Sequence, residues 1–277
     1  MTVLTIPRRI TETSWEKIVF LIKGFHDWFA DVGAIFFFLV SAMKGIVAKP
    51  NRVGEFFKHA EFIGNKSLGI VALTGLFTGM ALSYQIYLGF SLVNASNLVG
   101  PTVALAIARE LGPVMTGLIV AARAGGAMAA HIGTMRVSEQ IDALEVMGVD
   151  PIQYLVSPRI VAAIIVMPLL TAVFDFVSML GAHLICINFL QMDGAIFWEK
   201  IRLWLEPRHI YEGFFKATFF GFFFSMICSY SGYTTKGGAR DVGNATNSGV
   251  VSSMVMTIVL DYFLTHFIRI YYKLAGI

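Results

Sequence analysis

Residues 68–93 read LGIVALTGLFTGMALSYQIYLGFSLV, a run of 26 without a formal charge. A helix needs about 20 mostly apolar residues, rising about 1.5 Å each, to cross a bilayer core roughly 30 Å thick. This run meets that requirement, and four more do so on either side of scattered charges. They are 98–122 with Arg109 and Glu110 near its middle, 160–188 with Asp175 and His183, 210–233 with Glu212 and Lys216, and 249–268 with Asp261. Composition agrees: 56% of the 277 residues are apolar and only 14% are charged, against about 25% charged in soluble domains. So apolar a chain, with 24 Phe, is not disordered. The two cysteines, Cys186 and Cys228, lie inside apolar runs and build no disulfide scaffold. A net charge of +3 from dispersed Lys and Arg gives no nucleic-acid footprint. The expected fold class is an all-α integral membrane protein with five transmembrane helices.

The first 60 residues differ. The apolar stretch 32–43 has only 12 residues between Asp31 and Lys44, a reach of about 18 Å that falls short of the core. Before it, residues 15–28 place Ile18, Val19, Leu21, Ile22 and Phe25 on one helical face and Glu16, Lys17, Lys23 and Asp27 on another, the pattern of a helix lying in the headgroup plane. Residues 1–60 are therefore expected to form an interfacial arm with a shallow or re-entrant helix, and 61–277 the five-helix domain. A sixth span borrowing flanking residues is the alternative. A signal peptide fits less well, since the first apolar run comes late and no small-residue cleavage pattern follows.

Orientation follows from Lys and Arg. One side holds Arg8, Arg9, Lys17, Lys23, Lys44, Lys49, Arg52, Lys58, Lys66, Arg123, Arg136, Arg159, Lys236 and Arg240; the other holds Lys200, Arg202, Arg208, Lys216, Arg269 and Lys273. The richer side is expected to be cytoplasmic, giving a multi-pass protein with its N-terminus inside and its C-terminus outside.

Between the second and third spans lies GTMRVSEQIDALEVMGVDP, residues 133–151. Thr134 or Ser138 is placed to cap a short helix, and Gly148 with Pro151 to stop it. Val137, Ile141, Leu144 and Gly148 recur at helical spacing, with Arg136, Glu139, Gln140, Asp142 and Glu145 mostly elsewhere around it. A solvated linker helix and a docking helix for a soluble partner both fit this pattern.

Several segments carry a family resemblance: ARELGPV at 108–114, ARAG at 122–125, the 133–151 stretch, SPR at 157–159, PLL at 168–170 and LDYFLT at 260–265. In that order they resemble the permease subunit of MlaE/YrbE-type ABC transporters, a family that includes the TGD-type permease of plastids, from about Phe56 to Phe267. The resemblance implies a homodimer in the inner membrane of a cell, or the inner envelope of a plastid in a plant. It implies a pair of cytoplasmic ABC ATPase subunits that bind the ATP and Mg, no cofactor being bound by this chain. A hexameric MCE-domain lipid carrier on the far side and, in many members, a STAS-domain protein complete the implied assembly. The implied cargo is phospholipid or a related lipid, moved for outer-membrane lipid homeostasis. Met135, Arg136, Val137, Glu139, Gln140, Ile141, Asp142, Leu144 and Glu145 would form the coupling helix on the ATPase.

Charges inside spans each cost about 2.5–3.5 kcal/mol on insertion scales, so they tend to face a partner or a wet cavity. Adjacent Arg109 and Glu110 point about 100° apart on a helix. Glu110 is expected to face Lys216, with Arg109 and Asp261 near each other, the four lining a polar-lipid cavity or simply fastening helices. Asp175 and His183 are expected to be packing or rim groups. By the resemblance, Leu82, Tyr84, Gln85, Ile86, Gly89, Phe90 and Val93 form one wall of that cavity. Gly75-x-x-x-Gly79 and Gly125-x-x-x-Ala129-x-x-x-Gly133 suit close helix contact, and Pro101, Pro113 and Pro168 suit bends.

No phosphate-loop pattern G-x-x-x-x-G-K-[ST] and no H-E-x-x-H occurs. Ser231 stands in Tyr-Ser-Gly, without the G-x-S-x-G frame of a nucleophile elbow, which leaves an intramembrane serine protease a weak rival. An ion-coupled secondary transporter using Asp175, Glu110 or Asp261 is a second rival, opposed by the lack of an evident inverted repeat. A passive membrane scaffold is a third.

Overall fold

The computed structural model describes residues 33–46 and 53–275. Among them the chain is helical without a strand, and five helices are long and apolar enough to cross a membrane. In chain order the elements are α1 (Gly33–Ile46), α2 (Val53–Ile63), α3 (Asn65–Ser91), α4 (Ser96–Val137), α5 (Gln140–Val146), α6 (Ile152–Phe189), α7 (Gly194–Trp204), α8 (Pro207–Tyr233) and α9 (Ala239–Ala275). The spanning helices are α3 (with α2 leading into it), α4, α6, α8 and α9. The amphipathic segment 15–28 lies outside the described residues. Within the described part of the arm, α1 is a short apolar helix, and α2, for which the sequence reading proposes no helix, begins there and leads into α3.

Two of the five helices extend well beyond their apolar runs. The second continues fifteen residues past Ala122 to Val137, and the last starts ten residues before Gly249 at Ala239. The first extension passes through Arg123, a charge that reads as an end. Its guanidinium Nη1 donates to Phe62 O and to Ser67 Oγ, both at 2.8 Å. A satisfied cation does not stop a helix.

Packing divides into three layers stacked along the bundle. The central layer buries Val71, Val120, Ala124, Met167, Phe174, Phe220 and Phe224 from α3, α4, α6 and α8. At one end, Ile132, Ile141, Val156, Ile160 and Met226 enclose Phe38 and Ala42 of α1, whose Ala42 carbonyl accepts from Ser157 Oγ at 2.9 Å. At the other end, Val99, Val103, Ile107, Ala182 and Cys186 surround Phe197 and Ile201 of α7. Helix α7 begins where Asp193 accepts from the backbone N–H groups of Ala195 and Ile196, an N-cap of ordinary kind. The start of α8 is fixed by Pro207 at its first turn and by a reciprocal cap between Glu206 and His209.

Lipid tails give helices no hydrophobic reason to associate, so close backbone approach has to supply the contact energy. Helices α3 and α6 show this. A Cβ on Gly79 would collide with the Ser178 backbone, and one on Gly181 with the Leu76 carbonyl. Ser178 Oγ donates to Gly75 O at 2.9 Å across the same seam. The expected small-residue contact at Gly75 and Gly79 is present, and Gly181 is its counterpart on α6.

The segment 133–151 departs from its expected form. Residues up to Val137 finish α4, and the short helix α5 holds only Gln140–Val146 after a turn in which Glu139 takes φ 59°. Neither Thr134 nor Ser138 caps it; Ser138 Oγ instead donates back to Thr134 O at 2.8 Å. Gly148, at φ 73°, does end it.

Overpacking a tight backbone seam costs about 1–3 kcal/mol. Gly79→Ala and Gly181→Ala should each lower the thermal unfolding midpoint of the purified chain in detergent. Gly69→Ala, where a Cβ meets open space, should leave it unchanged.

Candidate functional site

Where α4, α8 and α9 cross, the fold buries an ion cluster. Its centre is Lys216 on α8, 1% exposed. Lys216 Nζ donates to Glu110 Oε2 at 2.5 Å, to Asp261 Oδ1 at 3.0 Å and to Arg109 O at 2.9 Å. An ammonium has three donors, and all three are used. Thr265 Oγ1, one turn beyond Asp261 on α9, lies 3.3 Å from Glu110 Oε2. Beside this group, Arg109 Nε donates to Glu212 Oε2 at 2.9 Å.

The Arg109 carbonyl is available for a reason written in the sequence. Its α-helical partner would be the N–H of residue 113, and Pro113 has none. Residues Ile107–Leu111 form a π-helical segment, the kind of local widening that accompanies functional sites. Lys216 fills the acceptor that Pro113 leaves open. Gly213 lets α8 come close enough, since a Cβ there would strike the Ala108 carbonyl. The motif ARELGPV is therefore one device: two charges, an unpaired carbonyl, and Gly112, against which the Asp175 carboxyl packs.

The expected pairing of Glu110 with Lys216 is present. Arg109, however, pairs with Glu212 rather than with Asp261, which belongs to Lys216. The sequence shows Glu212 as an in-span charge without a partner, and Thr265 only as the end of LDYFLT. Glu212 stands four residues before Lys216 on one face of α8, so a helical plot of the in-span charges shows it.

The α3 run does not form one wall within the chain. Leu82, Ile86 and Phe90 face inward against the layer around Phe197. Tyr84, Gln85, Gly89 and Val93 are exposed on the other face. Helical geometry splits consecutive residues between different sides, and Leu82, Ile86 and Phe90, four apart, share one.

The short helix α5 also faces differently from its expected use. Ile141 is fully buried, and Leu144 and Met135 pack beside it against the bundle. These apolar residues anchor α5 to its own chain. Its outward surface is Glu139, Gln140, Asp142, Glu145, Val146 and Met147, with Val137 beside them. Arg136 ties α4 to α5 through Asp142 at 2.6 Å and lies over the Tyr233 ring, whose hydroxyl is 3.4 Å from Glu145.

Other candidates lack a constellation. Ser231 Oγ donates to Ala245 O at 2.6 Å and, among the described residues, has no base at hand. No group of three or more His, Cys, Asp or Glu able to hold a metal occurs among the described residues. His183 takes a hydrogen bond from Trp198 Nε1 at 3.2 Å, a packing role as expected. Asp175 packs between α4 and α6 with one buried carboxyl oxygen unpartnered.

Removing one member of a buried ion pair costs about 3–5 kcal/mol, because the remaining charge is stranded. Lys216→Met should therefore destabilise the chain by about 3 kcal/mol, read by thermal unfolding in detergent. Adding Glu110→Gln and Asp261→Asn to it should recover most of that loss. A triple variant no more stable than Lys216→Met contradicts the shared pairing.

The comparisons with known proteins place this geometry. Residues 56–267 match the family model described as Permease MlaE. A probable ABC transporter permease protein of Rickettsia prowazekii (strain Madrid E) is 42% identical over 250 residues, covering 90% of this chain and 96% of that protein. The intermembrane phospholipid transport system permease protein MlaE of Haemophilus influenzae is 34% identical, covering 88% and 94%. The chloroplastic protein trigalactosyldiacylglycerol 1 of Arabidopsis thaliana is 40% identical over 207 residues, 75% of this chain and 59% of that one. The matched region takes in the ion cluster, the close-packed seams and α5, and the chain belongs to the MlaE permease family, a membrane transport subunit built of five spanning helices.

Proposed function

We propose that this permease moves phospholipid, powered by a separate cytoplasmic ABC ATPase dimer, and works as a homodimer. The observation that carries the cargo assignment is the polar opening in an apolar wall. Glu110 is 39% exposed at its side chain, beside the α9 face that shows Val255, Ile258, Val259 and Tyr262 to the outside. A lipid needs such a surface, polar for a headgroup and apolar for its chains. The exposed residues Tyr84, Gln85 and Gly89 of α3, and Val93 just past its end, are assigned to the same path in the assembled dimer. The name of the Haemophilus relative, which specifies intermembrane phospholipid transport, supports this cargo.

The remaining assignments follow the family. The Lys- and Arg-rich side, with α5, faces the cytoplasm of an inner membrane. A hexameric MCE-domain carrier receives or delivers lipid on the far side, and a STAS-domain protein joins the ATPase. No ATP site is assigned to this chain. The ATPase contact moves from the buried Ile141 and Leu144 to the outward surface of α5, where Val146 is 89% and Met147 67% exposed. An ion-coupled carrier or a protease would need no such contact.

Two measurements test the proposal. In vesicles containing the permease and its ABC ATPase, a fluorescent phospholipid should move only with ATP; movement without nucleotide by the permease alone contradicts it. Val146→Glu with Met147→Glu should weaken ATPase co-purification about tenfold, the scale of losing an interface anchor, without lowering the unfolding midpoint. Retention of the ATPase at wild-type levels removes α5 from the contact.

A further inference from the structure

A second charged pocket lies far from the ion cluster. His131 follows Arg109 by 22 residues on α4, roughly 33 Å along the helix. At that end of the bundle, shared with α5, a pocket of about 350 Å³ is lined by Lys58, His59 and Phe62 of α2, Lys66 of α3, Ala127, Met128 and His131 of α4, and Arg159 of α6. None of the lining residues is acidic.

Its charge balance is unlike that of the Lys216 cluster. Arg159 is 4% exposed, and among the described residues it forms no salt bridge. One of its guanidinium nitrogens donates to Leu155 O, and Nη2 lies 3.1 Å from His131 Nδ1. A guanidinium carries five N–H groups, so these two bonds leave donors in reserve. With Arg159 donating to Nδ1, His131 holds its proton on Nε2 and presents a further donor. Lys66 Nζ and the Arg123 guanidinium both sit over the Phe62 ring, at 5.4 and 5.0 Å. Neither has a carboxylate partner among the described residues. Glu55, one turn before His59 on α2, is paired with Lys58 at 2.7 Å. Lys58, Lys66 and Arg159 thus line one pocket; among the described residues only Lys58 has a carboxylate partner, and Arg159 is almost wholly buried.

We propose that this pocket binds the phosphate of an anionic glycerophospholipid from the leaflet on the α5 side. A planar guanidinium with spare donors matches a phosphate in bidentate fashion. Basic pockets between spanning helices at headgroup level are sites where anionic lipid headgroups bind. The pocket is at the small end of the about 300–1,000 Å³ range for ligand sites, room for a headgroup while the acyl chains stay in the membrane. Phe62, Ala127 and Met128 supply the apolar edge along which the glycerol end leaves. The bound lipid is a resident of this leaflet, separate from any cargo at Glu110, and it ties α2 to α4 and α6. It stands independently of the cargo assignment, since it requires only a membrane and these residues.

Native mass spectrometry of the full chain in detergent, titrated with phosphatidylglycerol or phosphatidylcholine, tests it. Lys66→Ala with His131→Ala changes two exposed residues and spares buried Arg159, and Lys273→Ala at the opposite end is the control. Phosphatidylglycerol binding should exceed phosphatidylcholine binding and fall at least about fivefold in the double variant, the loss expected for one surface cation. The Lys273→Ala control should bind as the unmodified chain does. Equal binding of the two lipids, or an unchanged double variant, overturns the proposal. A parallel thermal-unfolding arm with inorganic phosphate separates the sources: stabilisation by phosphate equal to that by phosphatidylglycerol, and lost in the double variant, replaces the lipid with a free anion.

Discussion

One ammonium group, closed off from water, holds three membrane helices to a common point. Lys216 is tolerable there only because α4 offers Glu110 and a carbonyl left open by Pro113, and because α9 offers Asp261. Each contact fixes a rotation: α4 must turn its π-helical segment toward α8, and α9 must bring Asp261 and Thr265 to the same side. A buried charge that loses one partner is costly, so the arrangement has little freedom to slide. The cluster is thus a registry device as well as a polar opening in an apolar wall. The Arg109–Glu212 pair beside it, whose Glu212 side chain is 5% exposed, extends the same constraint along α8.

The rest of the bundle answers a different constraint. Away from the cluster, helices associate through close backbone contact, as at Gly79 against Ser178 and Gly181 against Leu76. Layers of Phe and small aliphatic residues fill the spaces between. Charge is admitted where a partner waits: Arg123 on Phe62 O and Ser67, Lys216 on its three acceptors. Asp175, with one buried oxygen unpartnered, and Arg159, which bonds Leu155 O and His131 but forms no ion pair among the described residues, are exceptions, and the basic lining around Arg159 gives that end of the molecule a chemistry distinct from the centre.

The five spans were legible because 68–93 lacks charge and the other runs carry few charges. Lipid solvent makes hydrophobic length nearly decisive. Helix ends were less legible, since Arg123 looks like a boundary until its acceptors on α2 and α3 are known. The Glu110–Lys216 contact could be anticipated because in-span charges seek partners. The true partner of Arg109 could not, because the π-helical segment changes where adjacent residues point. The orientation of α5 was illegible for a related reason. Ile141 and Leu144 have the spacing of a docking face, and spacing alone does not say whether that face meets a partner or the chain's own core.

The central claim is that Lys216 joins α4, α8 and α9 in the working transporter. An electron cryo-microscopy structure of the complete transporter in lipid nanodiscs measures this directly. Side-chain density should place Lys216 Nζ within hydrogen-bond distance of the Arg109 carbonyl, Glu110 and Asp261 together. Density that turns Lys216 toward open water, with Glu110 and Asp261 paired to other groups, would contradict it.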